Sequence, residues 1–262
     1  MKIPKYIFQT WKTKVNIDNK RSKYIKTIKL FNPNAEHFIY DDDDCDQFVK
    51  SKFYQYYKYY LQLKTPVQKA DLWRYLIIYY YGGYYLDIDC KVVTGLDFTT
   101  DSKKDLLIVE VENPAPFKPI TGFPRCPQYA QYWFGATPRH PAILNVITKV
   151  IQNIKTNKKY KGDNQTLYLT GPVPWTDGIS ECSECSENKG TKHNGVIFLK
   201  PNQADVVSVG IDTQLVHKYK NVPVIHQAAG SWRDKNSSDD NSYFILIIFI
   251  VLIGYYLCIN SI

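Results

Sequence analysis

Behind its first residues, Met1-Lys-Ile-Pro-Lys-Tyr6, the chain has no apolar run long enough to serve as a secretory leader. It is poor in cysteine, with six, and only Cys182 and Cys185 stand at CxxC spacing. A four-ligand structural zinc site would need a second pair, so the thiols are expected to be free or locally paired. An arginine-rich arm is also missing. Lysine and arginine are scattered from Lys2 to Lys235, so the net charge of +8 is not the footprint of a nucleic-acid module. A diphosphate-bearing substrate or an anionic membrane surface suits that charge better.

What is present is ordinary for a globular chain of 262 residues, with 44% hydrophobic and 22% charged residues. The 22 Tyr and 12 Phe are an excess that fits a sugar-handling surface as well as core packing. From Tyr243 to Ile262 no residue is charged. This run sits at the short edge of the roughly 17 to 25 residues that span a bilayer, and Tyr243, Tyr255 and Tyr256 flank it as interfacial rings do. The expected organisation is a catalytic-sized domain over 1–230, a polar linker over 231–242 and a transmembrane anchor over 243–262. Lys218, Lys220, Arg233 and Lys235 precede the anchor and nothing charged follows it, which places the domain on the cytosolic side. Reduced cysteines and unused sequons at Asn164 and Asn236 would follow.

Patterning predicts a first strand over Ile3–Gln9, a helix over Asn19–Phe31 and a second strand over His37–Tyr40. The acidic run Asp41–Asp44 reads as the capped and charged start of a helix over Asp46–Leu61. Thr65-Pro-Val-Gln68 combines an N-cap, a proline at the first helical position and a Gln three residues after the cap. That helix should end at Gly82-Gly83 and hand over to a strand ending at Asp87-Ile-Asp89. Further strands are expected over Leu106–Val111, Tyr132–Ala136, Val196–Leu199 and Val222–His226, a helix over Ala142–Asn153, and a polar loop over Asp177–Asn194. Alternating strands and helices imply an α/β fold with a mixed sheet.

On a strand, Asp87 and Asp89 would point the same way, because side chains alternate with period two. Two such carboxylates can hold one divalent ion through oxygen and leave positions for water and a diphosphate. Alone, Asp-x-Asp is a weak signal. Its neighbourhood strengthens it: Asp71 and Arg74 stand at i and i+3 on the preceding helix, a spacing that would otherwise make a simple helical ion pair.

Four blocks carry a resemblance: Ile3-Pro-Lys-Tyr-Ile-Phe-Gln-Thr-Trp11, Lys69-Ala-Asp-Leu-Trp-Arg-Tyr75, Gly82-Gly-Tyr-Tyr-Leu-Asp-Ile-Asp89 and His226-Gln-Ala-Ala-Gly-Ser-Trp232. In this order they resemble the signature blocks of the DXD-containing glycosyltransferase sugar-binding family. The resemblance implies a nucleotide-binding mixed sheet of the GT-A type and transfer with retention of anomeric configuration. It implies Mn or Mg as cofactor, held by Asp87, Asp89 and His226. Asp71, Arg74 and Asp89 would be the catalytic group. Gln9, Trp11, Asp71, Arg74, Asp87, Gly171, Ser231 and Trp232 would bind the donor, with Trp11 near the base and Gly171 in a Thr-Gly-Pro loop. Phe8 stands where many members have His, which removes a polar contact near the base.

The implied partners are a GDP- or UDP-linked sugar and a glycan, lipid or protein acceptor. A metal-dependent hydrolase would need two carboxyls facing across a scissile bond, which two neighbours on one strand end do not offer. A catalytically silent sugar-binding protein is opposed by the presence of every charged motif residue.

Overall fold

The computed structural model describes residues 2–96, 105–113, 124–125, 127–162, 164–182, 195–199 and 223–227. Its elements are β1 (Tyr6–Thr10), α1 (Asn19–Phe31), β2 (Glu36–Tyr40), α2 (Asp42–Lys52), α3 (Tyr54–Tyr60) and α4 (Pro66–Tyr81). They continue with β3 (Gly83–Leu86), β4 (Cys90–Val92), β5 (Leu107–Asn113), β6 (Gln128–Tyr129) and β7 (Trp133–Ala136). Then come α5 (Pro141–Lys155), α6 (Asn164–Leu169), α7 (Pro172–Ser180), β8 (Val196–Leu199) and β9 (Val224–His226).

Seven strands form one mixed sheet in the order β2-β1-β3-β7-β5-β6, with β8 pairing β5. The strands β1, β2 and β3 run parallel, while β7 is antiparallel to β3 and to β5. Both faces are buried, so the strands read as nearly continuous apolar runs and alternate residues enter different layers. Phe8, Tyr85, Leu107, Val109 and Phe134 pack into a core with α2, α4, α5 and α7. Ile7, Tyr84, Leu86, Ile108 and Trp133 pack on the other side with Ile28 of α1. Burial of each such side chain contributes roughly 1.5–3 kcal/mol relative to exposure.

The helix predicted over Asn19–Phe31 and the helix predicted to open at Thr65 both form. Asp18 caps α1 by accepting from the Lys20 and Arg21 amides. Thr65 caps α4 by accepting from the Gln68 amide, with Pro66 at the first helical position. Gly82 and Gly83, with φ of 66° and 101°, end α4 and turn the chain into β3. A Cβ on Gly83 would stand 2.6 Å from the Tyr6 carbonyl oxygen, so glycine lets β3 lie against β1.

Three expectations need correction. The helix over Asp46–Leu61 is two helices, α2 and α3, broken at Phe53, whose φ of −134° leaves the helical region. The Phe53 ring is buried against Phe48 and Tyr56. Residues Asp177–Ser180, assigned to a polar loop, close α7, a helix that opens on Pro172. The strand before the carboxylates ends at Leu86, so Asp87–Asp89 form a turn. The Cys90 amide donates back to the Asp87 carbonyl at 3.0 Å and closes it.

Cys45 and Cys90 are buried free thiols, whereas Cys182 is disulfide-bonded, against the expectation that the cysteines are reduced. Among the described residues no helix is long and apolar enough to cross a membrane. The segment 243–262, the linker 231–242 and the sequon at Asn236 lie outside the described residues.

Candidate metal and donor site

The Asp87–Asp89 turn meets β9 through a separate two-stranded sheet in which Cys90 pairs with His226. That register carries the His226 imidazole to the turn. Its Nε2 lies 3.3 Å from Asp89 Oδ1 and 3.8 Å from Asp87 Oδ2. One ligand atom from each of the three residues falls within 4.8 Å of the other two. This is the one such acidic and histidine group among the described residues. Two carboxylate oxygens and an imidazole nitrogen suit Mn or Mg, and the side chains are 27%, 12% and 26% exposed, open to a further ligand.

Each ligand is oriented from behind. The two oxygens of Asp87 face different ways. Oδ1 accepts from the Tyr85 hydroxyl at 2.6 Å and lies 3.2 Å from Arg74 Nη1, which leaves Oδ2 toward His226. The His226 ring stacks on Tyr132 at 4.3 Å between centroids. The Tyr132 carbonyl accepts from the Asp87 amide at 2.7 Å, so one residue steadies both sides of the site.

Beneath the turn, α4 delivers Asp71 and Arg74 from one face. Arg74 bridges the two carboxylates, with Nη2 3.1 Å from Asp71 Oδ1 and Nη1 3.2 Å from Asp87 Oδ1. Its guanidinium also lies over the Tyr85 ring at 4.5 Å. Asp71 is fully buried and accepts from the Thr170 hydroxyl at 2.8 Å. Gln131 Nε2 approaches its other oxygen at 3.4 Å. Burial pushes the Asp71 carboxyl up to about 6, against the pull of Arg74 and Thr170. Burial works against the Arg74 charge too, but Asp87, Tyr85 and Asp71 outweigh it and hold the guanidinium above its ordinary value. The pair is therefore no exposed helical ion pair. It is a sealed polar layer under the carboxylate turn.

The other residues of the expected site are distributed as follows. Trp11 is half-buried at the end of β1, with the Arg21 guanidinium over its ring at 4.2 Å. Gln9 is fully buried and donates from Nε2 to the Asp87 carbonyl at 3.0 Å. Gly171 starts α7, where a Cβ would stand 2.9 Å from the Thr166 carbonyl oxygen. That close approach brings Thr170 under Asp71. Phe8 faces the layer opposite Gln9 and stacks on Phe38 and Tyr81. Ser231 and Trp232 lie outside the described residues.

Sequence reasoning missed Tyr85, Tyr132, Gln131 and Thr170. Thr170 stood in plain view inside the Thr-Gly-Pro block. Tyr85 lies two residues before Asp87 and shares its face of the chain, which period-two reasoning could have used. Nothing near Tyr132 or Gln131 in the sequence marks them, because their partners are 42 or more residues away.

Against known proteins, residues 18–106 match the family model described as the glycosyltransferase sugar-binding region containing DXD motif. That stretch includes Asp71, Arg74, Asp87 and Asp89, and over it the chain is similar to that family. It is 26% identical over 259 residues to the initiation-specific alpha-1,6-mannosyltransferase of Schizosaccharomyces pombe, covering 88% of this chain and 64% of the relative. It is 30% identical over 205 residues to the enzyme of the same name from Candida albicans, covering 68% of this chain and 52% of the relative. The chain thus spans between half and two thirds of the length of these curated relatives. Among solved structures it superposes on the PaToxG glycosyltransferase with a TM-score of 0.52 at 21% identity, covering 69% of this chain and 70% of the other. The expected fold, a mixed α/β sheet of glycosyltransferase type, is the one observed.

Proposed function

We propose that this chain is a retaining glycosyltransferase that moves a hexose or N-acetylhexosamine from a nucleotide-sugar to a glycan, lipid or protein acceptor, with a divalent cation at Asp87, Asp89 and His226. The observation that carries the reading is the convergence of those three side chains from a turn and a separate strand, backed by the buried Arg74 bridge. The relatives bear the name mannosyltransferase, which makes GDP-mannose the first donor to test.

A cation held there would act as a Lewis acid toward the charge gathering on the departing diphosphate. The protein's own residues do the rest. Tyr85 and Arg74 fix the inner oxygen of Asp87 and aim the outer one at the site. Tyr132 fixes the ring plane of His226. Asp71 has no exposed surface and acts by orienting Arg74, which in turn holds the inner oxygen of Asp87, while the equally buried Thr170 hydroxyl holds Asp71. Trp11 offers a ring at the end of the neighbouring strand, suited to a planar base. Attachment to a membrane through residues 243–259 is supported by the absence of charge in that run.

The test is a screen of GDP- and UDP-sugars for Mn-dependent turnover. GDP-mannose turnover that EDTA abolishes and Mn restores supports the reading. Failure of every donor to react, with Mn demonstrably bound, sinks it.

A further inference from the structure

Gln9 has no exposed surface, and both ends of its carboxamide are spent inside the protein. Nε2 donates to the Asp87 carbonyl at 3.0 Å, and Oε1 stands 2.9 Å from His37 Nε2 on the neighbouring strand β2. The orientation of the amide is forced. A carbonyl oxygen only accepts, so the NH2 group must face Asp87 and Oε1 must face the histidine. Oε1 also only accepts, so His37 must carry its hydrogen on Nε2. Burial pulls His37 down to about 4, and at neutral pH the ring is that single neutral tautomer.

The peptide of Asp87 is thereby held at three points. Its amide donates to Tyr132, while its carbonyl accepts from Cys90 within the turn and from Gln9 across the sheet. Of the three, only the Gln9 bond fixes the turn to the parallel strands β1 and β2. We propose that Gln9 and His37 are positioning residues that set the placement of the Asp87–Asp89 turn, and through it the affinity of the site for a divalent cation. Their role is then in the protein's interior and not in contact with the donor. The inference rests on the reading of Asp87, Asp89 and His226 as the metal site.

The test uses the full chain and measures Mn binding by the electron paramagnetic resonance of free Mn, with no donor present. GDP and UDP binding are measured separately in EDTA, and near-ultraviolet circular dichroism reports folding. Gln9→Met keeps the size and the buried contacts but removes both hydrogen bonds. It should weaken Mn binding by roughly 10- to 100-fold, the usual cost of losing a group that orients a ligand, and leave metal-free nucleotide binding unchanged. His37→Gln should move Mn affinity in the same direction by less, and the double variant should be no worse than Gln9→Met. A Gln9→Met protein that binds Mn as the parent does but loses GDP or UDP binding would overturn the proposal in favour of donor contact. If Gln9→Met does not fold, His37→Gln decides by the same two readouts. A parent protein that binds no Mn overturns the metal reading itself, a result distinguishable from failure of the positioning role.

Discussion

The chain holds two acidic segments that invite the same interpretation, and they come to opposite ends. Asp41–Asp44 places four aspartates in a row, whereas Asp87 and Asp89 are only two. The longer run is spent locally. Asp41 accepts from the Asp44 amide, Asp44 accepts from the Asp41 amide, and Lys14 pairs with both. That is a capping box at the start of α2, with carboxylates placed where the helix dipole favours them. The shorter pair is joined by His226 from a strand more than 130 residues away and braced by Arg74, Tyr85 and Tyr132. Acid density does not make a metal site. What makes one is convergence of ligands from separate elements, each oriented from behind.

The sharpest way to break that contrast is to remove one carboxylate of the turn. Asp87→Asn and Asp89→Asn should each weaken Mn binding and lower kcat/KM by more than about 100-fold, since a lost ligand costs at least as much as a lost orienting group. The melting temperature should change little in Asp89→Asn and fall modestly in Asp87→Asn, because one amide oxygen can keep the Tyr85 bond while the buried Arg74 loses one of its two carboxylate partners. Calorimetric titration of Mn checks it, and near-parental affinity in both variants would remove the assignment.

Asp71 offers a third environment, a carboxylate with no exposure and no open side. Asp71→Ala leaves Arg74 buried with Asp87 as its one remaining ionic partner and strands the Thr170 hydroxyl. Removing one member of a buried pair costs about 3–5 kcal/mol, so the urea midpoint should fall far more than in the Asp87 or Asp89 variants. A loss of turnover with unchanged stability would show instead that Asp71 meets the sugar directly.

The buried titratable groups give the third test. Burial holds His37 and His140 at about 4, below their ordinary 6.5. As pH falls below about 6.5 the unfolded chain protonates first, so the fold loses stability between about 6.5 and 4. Asp71 runs the other way. Its folded value of about 6 lies above the ordinary 3.8, so its contribution is complete below 3.8 and is lost as pH rises through 6. Two histidines against one carboxyl give a net fall toward acid, on the order of 3–4 kcal/mol by pH 4. His140→Asn keeps an N-cap for α5 and should flatten the slope. Urea midpoints from pH 4 to 7 that are level, or that rise toward acid, would contradict these burial effects.

How much of this was legible in the sequence follows from the range over which each signal acts. Caps and terminators act within four residues, so Thr65 and Gly82-Gly83 marked the two ends of α4 from sequence alone. Asp71, Arg74, Asp87 and Asp89 were readable as a motif, but their physical state was not. The i, i+3 spacing cannot say that Asp71 and Arg74 are buried, and period two was the wrong reason for Asp87 and Asp89 to converge. A turn closed by the Cys90 amide brings them together. The bracing residues Tyr132, Gln131 and His37 were invisible because every contact that gives them meaning is long-range.

The smallest expected effect is the one that completes the contrast between the two acidic segments. Asp41→Ala removes the side chain that accepts from the Asp44 amide, and it removes one of the two carboxylates near Lys14. The ion pairs are substantially exposed and add little in water. The lost cap is the larger part, and N-cap substitutions cost about 1 kcal/mol. The urea midpoint should therefore move slightly, and Asp41→Asn should recover most of the loss, since an amide oxygen caps nearly as well. Mn affinity should not move at all, because no imidazole or distant carboxylate joins that run among the described residues. A change in Mn binding in Asp41→Ala comparable to that in Asp89→Asn would mean that the run of four aspartates also holds a cation, and that convergence is not what separates the two segments.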